Sequence, residues 1–181
     1  MTEIKWVTDL IDRCRDVDKY GELLTLLKLY KTHEVLWMGG HANRYDIKCD
    51  GLKIEVKSCN INNKWAEADR RKDPRYESTF SRIKPEELDY LVGVSFNKDF
   101  GDVKFYIFTP EEVRLFDKSD FRRSPDQYNI DVQHHNDERR NVILRDAKDA
   151  WDKIRQRGCD AHSVSLNTNT QHNKKDTKER I

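Results

Sequence analysis

Two carboxylates and a lysine lie close together in the first third of the chain. Asp46 precedes an Asp50-Gly51 pair, and Glu55 and Lys57 follow that pair. Asp-Gly is a preferred sequence for the two-residue turn of a β-hairpin, because a type I′ turn needs positive φ at both central residues. Folding the chain back at this turn places Asp46 opposite Glu55, with Cβ atoms about 5 Å apart, and Lys57 on the same face.

These three side chains could support the hydrolysis of a phosphodiester. Like charges directly opposite each other on two strands repel, and a hard divalent cation between Asp46 and Glu55 would remove that repulsion. Lys57 could then offset the charge of a bound phosphate. The alternative interpretation is that all three residues belong to the solvated polar face of an ordinary amphipathic hairpin.

The predicted hairpin alternates between polar and apolar residues, which is the pattern of strands with one buried face. A short apolar strand at residues 34–38, ended by Gly39-Gly40, leads into it, so we expect the hairpin to belong to a larger sheet. The predicted polar face carries Asp46, Lys48, Lys53, Glu55 and Lys57, and the apolar face carries Tyr45, Ile47, Cys49, Leu52, Ile54 and Val56.

Two amphipathic helices are predicted before the hairpin. The first spans residues 3–16, and the second spans residues 18–31 with Asp18 as its N-cap. Glu22 lies in the first turns of the second helix, beside its apolar stripe. It could interact only with the helix dipole, or it could bring a third acid to the hairpin carboxylates.

A polar and irregular insert is predicted at residues 61–84, with a short helix near residues 65–71. It carries seven basic and four acidic residues with aromatic residues between them. Lysine and arginine neutralise phosphates, while asparagine, serine and arginine can reach base edges; the alternative is a solvated surface loop. The candidate DNA-contacting residues in and before this insert are His41, Asn43, Arg44, Asn62, Asn63, Lys64, Arg70, Arg71, Arg75, Ser81 and Arg82.

The second half of the chain predicts further strands and helices around one core, followed by a polar tail. The expected fold class is α/β, with a mixed sheet flanked by helices, in a single domain at residues 1–158 whose core spans about 18–116. Residues 159–181 are too polar to bury a core and are expected to be disordered. The expected elements are a helical turn at 85–87, a central strand at 90–96, a strand at 103–108, a helix at 109–116 and an edge strand near 128–132. The stretch 141–157 is expected to be helical through 147–154.

Composition excludes several classes of protein. The chain has 181 residues, is 37% charged and has a net charge of +1, so nucleic-acid binding must rest on local patches. Its four cysteines show no C-x-x-C spacing, which argues against a zinc site and for free thiols in a reducing cytoplasm. No apolar run is long enough for a transmembrane helix, and we expect no signal peptide at the N-terminus.

Taken together, Tyr20-Gly21-Glu22, Asp46 and Glu55-Val56-Lys57-Ser58 resemble the motif of the PD-(D/E)XK nuclease superfamily, which has the restriction-endonuclease-like fold. The resemblance covers roughly residues 18–110, and the αβββαβ core of that superfamily matches the predicted order of elements. One departure is Tyr45, which stands before Asp46 where the motif has proline. The segment 80–94 is similar to a stretch that follows the motif in several type II restriction endonucleases.

The resemblance implies a Mg²⁺-dependent endonuclease that cleaves double-stranded DNA at a specific sequence in a prokaryotic cell. Asp46, Glu55 and the Val56 carbonyl would bind Mg²⁺, for which Mn²⁺ would substitute, and Glu22 would support a metal-bound water or a second metal. Lys57 would orient or help to deprotonate the attacking water. The enzyme would be a homodimer that uses helix 3–16 as its contact. The alternatives are a Holliday-junction resolvase or DNA-repair nuclease of the same superfamily, and a non-catalytic nucleic-acid-binding module.

Overall fold

The computed structural model describes residues 3–14, 16–39, 44–61, 78–97, 101–118, 126–132 and 137–154. The chain divides into two compact units, Met1–Ala150 and Trp151–Ile181. The described part of the second unit contains a single helical turn at 152–154. Within the described residues, no helix is both long and apolar enough to cross a membrane.

A five-stranded mixed sheet forms the centre of the first unit, with the strand order β1-β2-β3-β5-β6. The central pair β3 and β5 is parallel, and the other neighbours are antiparallel. Every residue of β5 is buried, as expected for an apolar strand covered on both faces. The strands are β1 (Val35–Trp37), β2 (Ile47–Cys49), β3 (Leu52–Asn60), β5 (Tyr90–Phe96) and β6 (Lys104–Phe108).

A second, three-stranded antiparallel sheet has the order β4-β8-β7. Its strands are β4 (Thr79–Ile83), β7 (Asp117–Lys118) and β8 (Tyr128–Asp131). The side chains of Phe80 and Ile83 in β4 are fully buried in an apolar cluster with Ile130 of β8 and Phe108 of β6. This cluster holds the small sheet beside the large one.

Among the described residues of the first unit, four helices accompany the sheets: α1 (Glu3–Arg13), α2 (Val17–Leu29), α3 (Pro110–Val113) and α4 (Glu138–Ala147). Helix α2 packs on β3 and β5, and α1 packs on α2. Leu23, Leu26 and Leu29 are buried on the sheet-facing side of α2. The capping box of Thr109 and Glu112 starts α3, which agrees with the helix start predicted at residue 109.

The predicted mixed α/β fold is confirmed, and so is the register of the three hairpin pairs nearest the turn. Ile47 pairs with Ile54, Lys48 with Lys53 and Cys49 with Leu52. The central position of β5 is also confirmed.

Several element boundaries were predicted wrongly. Helix α2 has Asp16 as its N-cap and not Asp18, because the Asp16 carboxylate accepts the backbone N–H of Lys19. Residues 85–87 form a turn and not a helix. Residues 79–83, assigned to the irregular insert, form β4 because they pair with β8. In the stretch 141–157, helix α4 ends at Ala147, and of the rest of the expected helix at 147–154 only the turn at 152–154 is helical.

The short helix expected at 65–71 and the disordered tail expected at 159–181 lie outside the described residues.

Candidate active site

The hairpin turn has the backbone conformation that its sequence predicts. Asp50 has a φ of 48° and Gly51 a φ of 86°, both positive as a type I′ turn requires. The Asp50 carboxylate accepts the backbone N–H of Glu34 at 2.8 Å and lies 2.6 Å from Nδ1 of His33. These contacts fix the turn to the chain segment that enters β1.

Asp46 was expected to pair with Glu55, but it lies outside the hairpin ladder. Its N–H donates to the carbonyl of Ile54 at 3.0 Å, and its Oδ2 accepts the N–H of Val56 at 2.7 Å. The last ladder pair is therefore Ile47 with Ile54. The side chain of Asp46 takes the place of a backbone partner for Val56, which fixes the carboxylate against β3.

Glu55 and Lys57 form a close ion pair on β3, with 2.6 Å between Oε1 and Nζ. Only 17% of the Glu55 side chain and 28% of the Lys57 side chain are exposed. Burial raises the pKa of Glu55, the positive charge of Lys57 opposes that rise, and the nearby Asp46 adds to it. The two opposite charges compensate each other in a partly desolvated place.

Helix α2 brings Glu22 to the same region. The indole Nε1–H of Trp37 donates to Oε2 of Glu22 at 2.8 Å, and Nζ of Lys19 lies 3.8 Å from the same oxygen. Burial is the main cause of the raised pKa of Glu22; the Trp37 hydrogen bond opposes it, and the Asp46 charge adds to it. Glu22 is therefore held on the side of β1 and interacts with Asp46 through its charge.

Three of these side chains border a cavity of about 330 Å³, whereas Glu55 is not among its lining residues. Helix α2, the hairpin, β3 and the second sheet each contribute to its wall, so residues distant in sequence meet there. Asp46 and Glu22 lie on the wall with Lys57. The lining residues are Asp18, Glu22, Asp46, Val56, Lys57, Ser58, Ser81 and Arg82.

Gly21 lets α2 approach β3 closely enough to place Glu22 at the cavity. A Cβ atom at Gly21 would lie 1.9 Å from Oγ and 3.2 Å from Cβ of Ser58. The Ser58 hydroxyl is buried and has no hydrogen-bond partner in the described part of the chain. The Tyr20-Gly21-Glu22 sequence therefore has a steric reason for its glycine.

We expect Gly21→Ala to destabilise the fold by about 1–3 kcal/mol, because the new methyl group overpacks the contact between α2 and β3. Urea unfolding measures this change. The double variant Gly21→Ala/Ser58→Ala removes the Oγ clash and should recover most of the lost stability, while Ser58→Ala alone should be close to neutral. Equal destabilisation of the single and double variants would show that Ser58 is not the obstacle.

The donor set at the cavity suits a hard divalent cation better than a soft one. Asp46 and Glu55 offer carboxylate oxygens, the ligands Mg²⁺ prefers, and the pKa of each is raised chiefly by burial, so a cation would relieve the cost of their charges. Within the described residues, the one group of three ligand atoms that all lie within 4.8 Å is His33, Cys49 and Asp50 at the hairpin turn. Glu22 thus does not converge with Asp46 and Glu55 as a third ligand, and its metal role stays a prediction.

Three of the eleven candidates for DNA contact lie within the described residues. Ser81 and Arg82 line the cavity. Arg44 is exposed and lies 3.9 Å from Glu87. The other eight candidates lie outside the described residues: His41, Asn43, Asn62, Asn63, Lys64, Arg70, Arg71 and Arg75.

Three site residues were missed by sequence reasoning. Trp37 was assigned only to an apolar strand, yet it holds Glu22. Lys19 pairs with Glu22 and lies over the Trp37 ring at 4.7 Å; its i,i+3 spacing from Glu22 was an available signal. Asp18, expected to cap α2, lines the cavity.

Comparison with solved structures identifies a similar fold. The chain is similar to a bacterial homing endonuclease, I-Ssp6803I, with a TM-score of 0.53 and 15% sequence identity, over 79% of this chain and 93% of that chain. No protein-family model and no curated protein matches the sequence. The similarity establishes a shared α/β fold at low sequence identity.

Proposed function

We propose that this protein is a Mg²⁺-dependent endonuclease that hydrolyses the phosphodiester bonds of double-stranded DNA, of the PD-(D/E)XK superfamily and of the type II restriction class. The observation that carries the proposal is the meeting of Glu22, Asp46 and Lys57 at one cavity beside Glu55. The similarity in fold to a homing endonuclease supports it.

The residues of this chain have distinct tasks in the proposed reaction. Asp46 and Glu55, with the carbonyl of Val56, would hold Mg²⁺, and the Val56 N–H keeps the Asp46 carboxylate in place. Mg²⁺, when bound, lowers the pKa of a bound water and stabilises charge on phosphate oxygens. Lys57 exchanges its contact with Glu55 for the attacking water or the phosphate. Hydrolysis then adds water across one P–O bond, and the leaving oxygen receives a proton.

Glu22 has a supporting task in this scheme. Trp37 and Lys19 hold its carboxylate at the cavity wall. From there it accepts a hydrogen bond from a water in the cavity and keeps that water oriented. A second metal ion near Glu22 would use the same carboxylate.

The three acids of this site should titrate at higher pH than ordinary carboxylates. The pKa values of Asp46, Glu55 and Glu22 are all raised, mainly by burial. Only the ionised forms hold a cation, so cleavage should fall with decreasing pH at values above the ordinary aspartate pKa of 3.8. An acid whose pKa is higher in the folded state stabilises the fold at low pH and loses that contribution as pH rises. The melting temperature of metal-free Asp46→Asn relative to the unchanged protein should therefore increase with pH. A difference independent of pH would contradict the raised pKa of Asp46.

The substrate class can be tested with three DNAs at equal concentration. We expect cleavage of long linear duplex into discrete fragments, with single-stranded DNA left intact. Preferential cleavage of a synthetic four-way junction over linear duplex would instead support the resolvase alternative. Binding of duplex with no cleavage in Mg²⁺ or Mn²⁺ would support a non-catalytic module.

A homodimer is the proposed assembly, because two-fold symmetry matches the cleavage of two antiparallel strands. Helix α1 is the proposed contact, and its Leu10 side chain is 41% exposed. Sedimentation of the unchanged protein and of Leu10→Glu measures whether the protein is a dimer and whether α1 forms the contact.

A further inference from the structure

Arg82 occupies a special position in the second sheet. Phe80 of β4 pairs with Ile130 of β8, and Ile83 pairs with Tyr128. Ser81 and Arg82 therefore lie opposite the single residue Asn129, which is a β-bulge. Bulges of this kind redirect a side chain out of the regular ladder, and both bulged residues line the cavity that holds Asp46 and Lys57.

The backbone at Arg82 is in a conformation that favours glycine. Its φ is 59°, in the left-handed region that few residues other than glycine adopt. The amide N–H of Arg82 lies 3.3 Å from Oδ1 of Asn129, which accepts it. An arginine held in this conformation suggests that its side chain is needed where the bulge points it.

Rigid packing surrounds the bulge on both sides. Phe80 and Ile83, which flank it, are fully buried. A Cβ atom at Gly93 would lie 2.2 Å from the Phe80 ring, so that ring covers the β5 backbone closely. Gly93 in turn pairs with Lys57 of β3. The bulge is thus anchored directly beside the strand position that carries Lys57.

The charged side chains at the cavity leave a role for a further basic residue. Glu22 and Asp46 are acidic, and Lys57 is already paired with Glu55. Arg82 is exposed, and its guanidinium has no ion-pair or hydrogen-bond partner among the residues that the structure describes. A phosphate entering this cavity needs positive charge, and a guanidinium can bind two of its oxygens at once.

We propose that Arg82 binds non-bridging oxygens of the phosphate that is cleaved, and so is a catalytic residue supplied by the second sheet and not a reader of base edges. This inference rests on the proposed nuclease function. Ser81 lines the cavity beside it, and Asn129 positions it through the bulge. The bulge and the left-handed backbone then exist to aim Arg82 at the reaction centre.

The variant Arg82→Gly tests this proposal without threatening the fold, because glycine suits the backbone at this position. Its melting temperature should equal or exceed that of the unchanged protein. We expect cleavage at saturating DNA, measured in a single turnover, to be at least about 100-fold slower, and the slope of log affinity against log salt, measured without divalent metal, to fall by about one. Arg82→Lys should recover part of the rate.

Lys84→Ala is the matched control, since Lys84 follows β4, is exposed and pairs with Glu87; it should cleave at the normal rate. Cleavage by Arg82→Gly at the normal rate, with the unchanged protein active, would overturn the role of Arg82 alone. A normal cleavage rate by Arg82→Gly together with cleavage at additional DNA sequences would also overturn the proposal, and it would indicate that Arg82 reads bases. Inactivity of the unchanged protein on every DNA would overturn both this proposal and the nuclease function.

Discussion

Asp46→Asn should abolish DNA cleavage while leaving the fold intact. The amide oxygen can still accept the Val56 N–H, so the local backbone is kept, but the charge that holds a cation is lost. We expect the rate to fall by at least about 100-fold. In the metal-free protein the melting temperature should rise by roughly 2–4 °C, or about 1 kcal/mol in a chain of this size, because a partly buried charge has been removed.

Lys57→Ala tests the basic residue of the same site. Cleavage should fall by about 10²–10⁴-fold, and here stability should fall as well, since Glu55 loses its partner at 2.6 Å. Lys53→Ala is the control, because Lys53 lies exposed on the same strand. DNA binding by both active-site variants, measured by fluorescence anisotropy, should remain within about tenfold of normal. A normal cleavage rate in either variant would show that the assigned site is wrong.

Gly93→Ala should be among the most destabilising single substitutions in the chain. The new Cβ atom would lie 2.2–2.7 Å from three ring atoms of Phe80, and both residues are enclosed in the core, so neither can move freely. We expect a loss of about 3 kcal/mol, at the upper end of the usual cost of overpacking. Denaturant unfolding followed by tryptophan fluorescence measures it.

The double variant Gly93→Ala/Phe80→Leu separates overpacking from a general effect on β5. A smaller side chain at position 80 makes room for the methyl group, so the double variant should be more stable than the sum of the two single effects predicts. Additive effects would mean that the Phe80 ring is not what excludes a side chain at position 93. The cleavage rate of the double variant should likewise be higher than the two single effects together predict, because the Phe80 ring also anchors the bulge at Arg82.

Local sequence patterns predicted much of the hairpin. The Asp50-Gly51 turn and the polar–apolar alternation determine which residues share a face, and Ile47, Cys49 and Ile54 are buried as that alternation requires. Both signals act between residues close in sequence. These signals do not predict that Asp46 leaves the ladder, because that depends on the hydrogen bond that its carboxylate accepts from the Val56 amide.

The parts that could not be predicted depend on contacts between distant segments. Trp37 can hold Glu22 only once α2 has packed on the sheet. Strand β4 has a polar sequence without alternation, and its pairing with β8 joins residues about 50 positions apart. Arg82 was proposed for DNA contact by its chemistry alone, whereas the bulge that brings it to the carboxylates follows from that distant pairing.

The central claim is that Asp46, Glu55 and Lys57 form a metal-dependent nuclease site, and the most direct test is cleavage of supercoiled plasmid DNA in Mg²⁺. The unchanged protein should convert the plasmid to discrete linear products in Mg²⁺ or Mn²⁺, Ca²⁺ should support little cleavage, and excess chelator should stop the reaction. Asp46→Asn, prepared in parallel, should leave the plasmid supercoiled and so exclude a contaminating nuclease. Cleavage that survives the chelator, or that Asp46→Asn retains in full, would contradict the account.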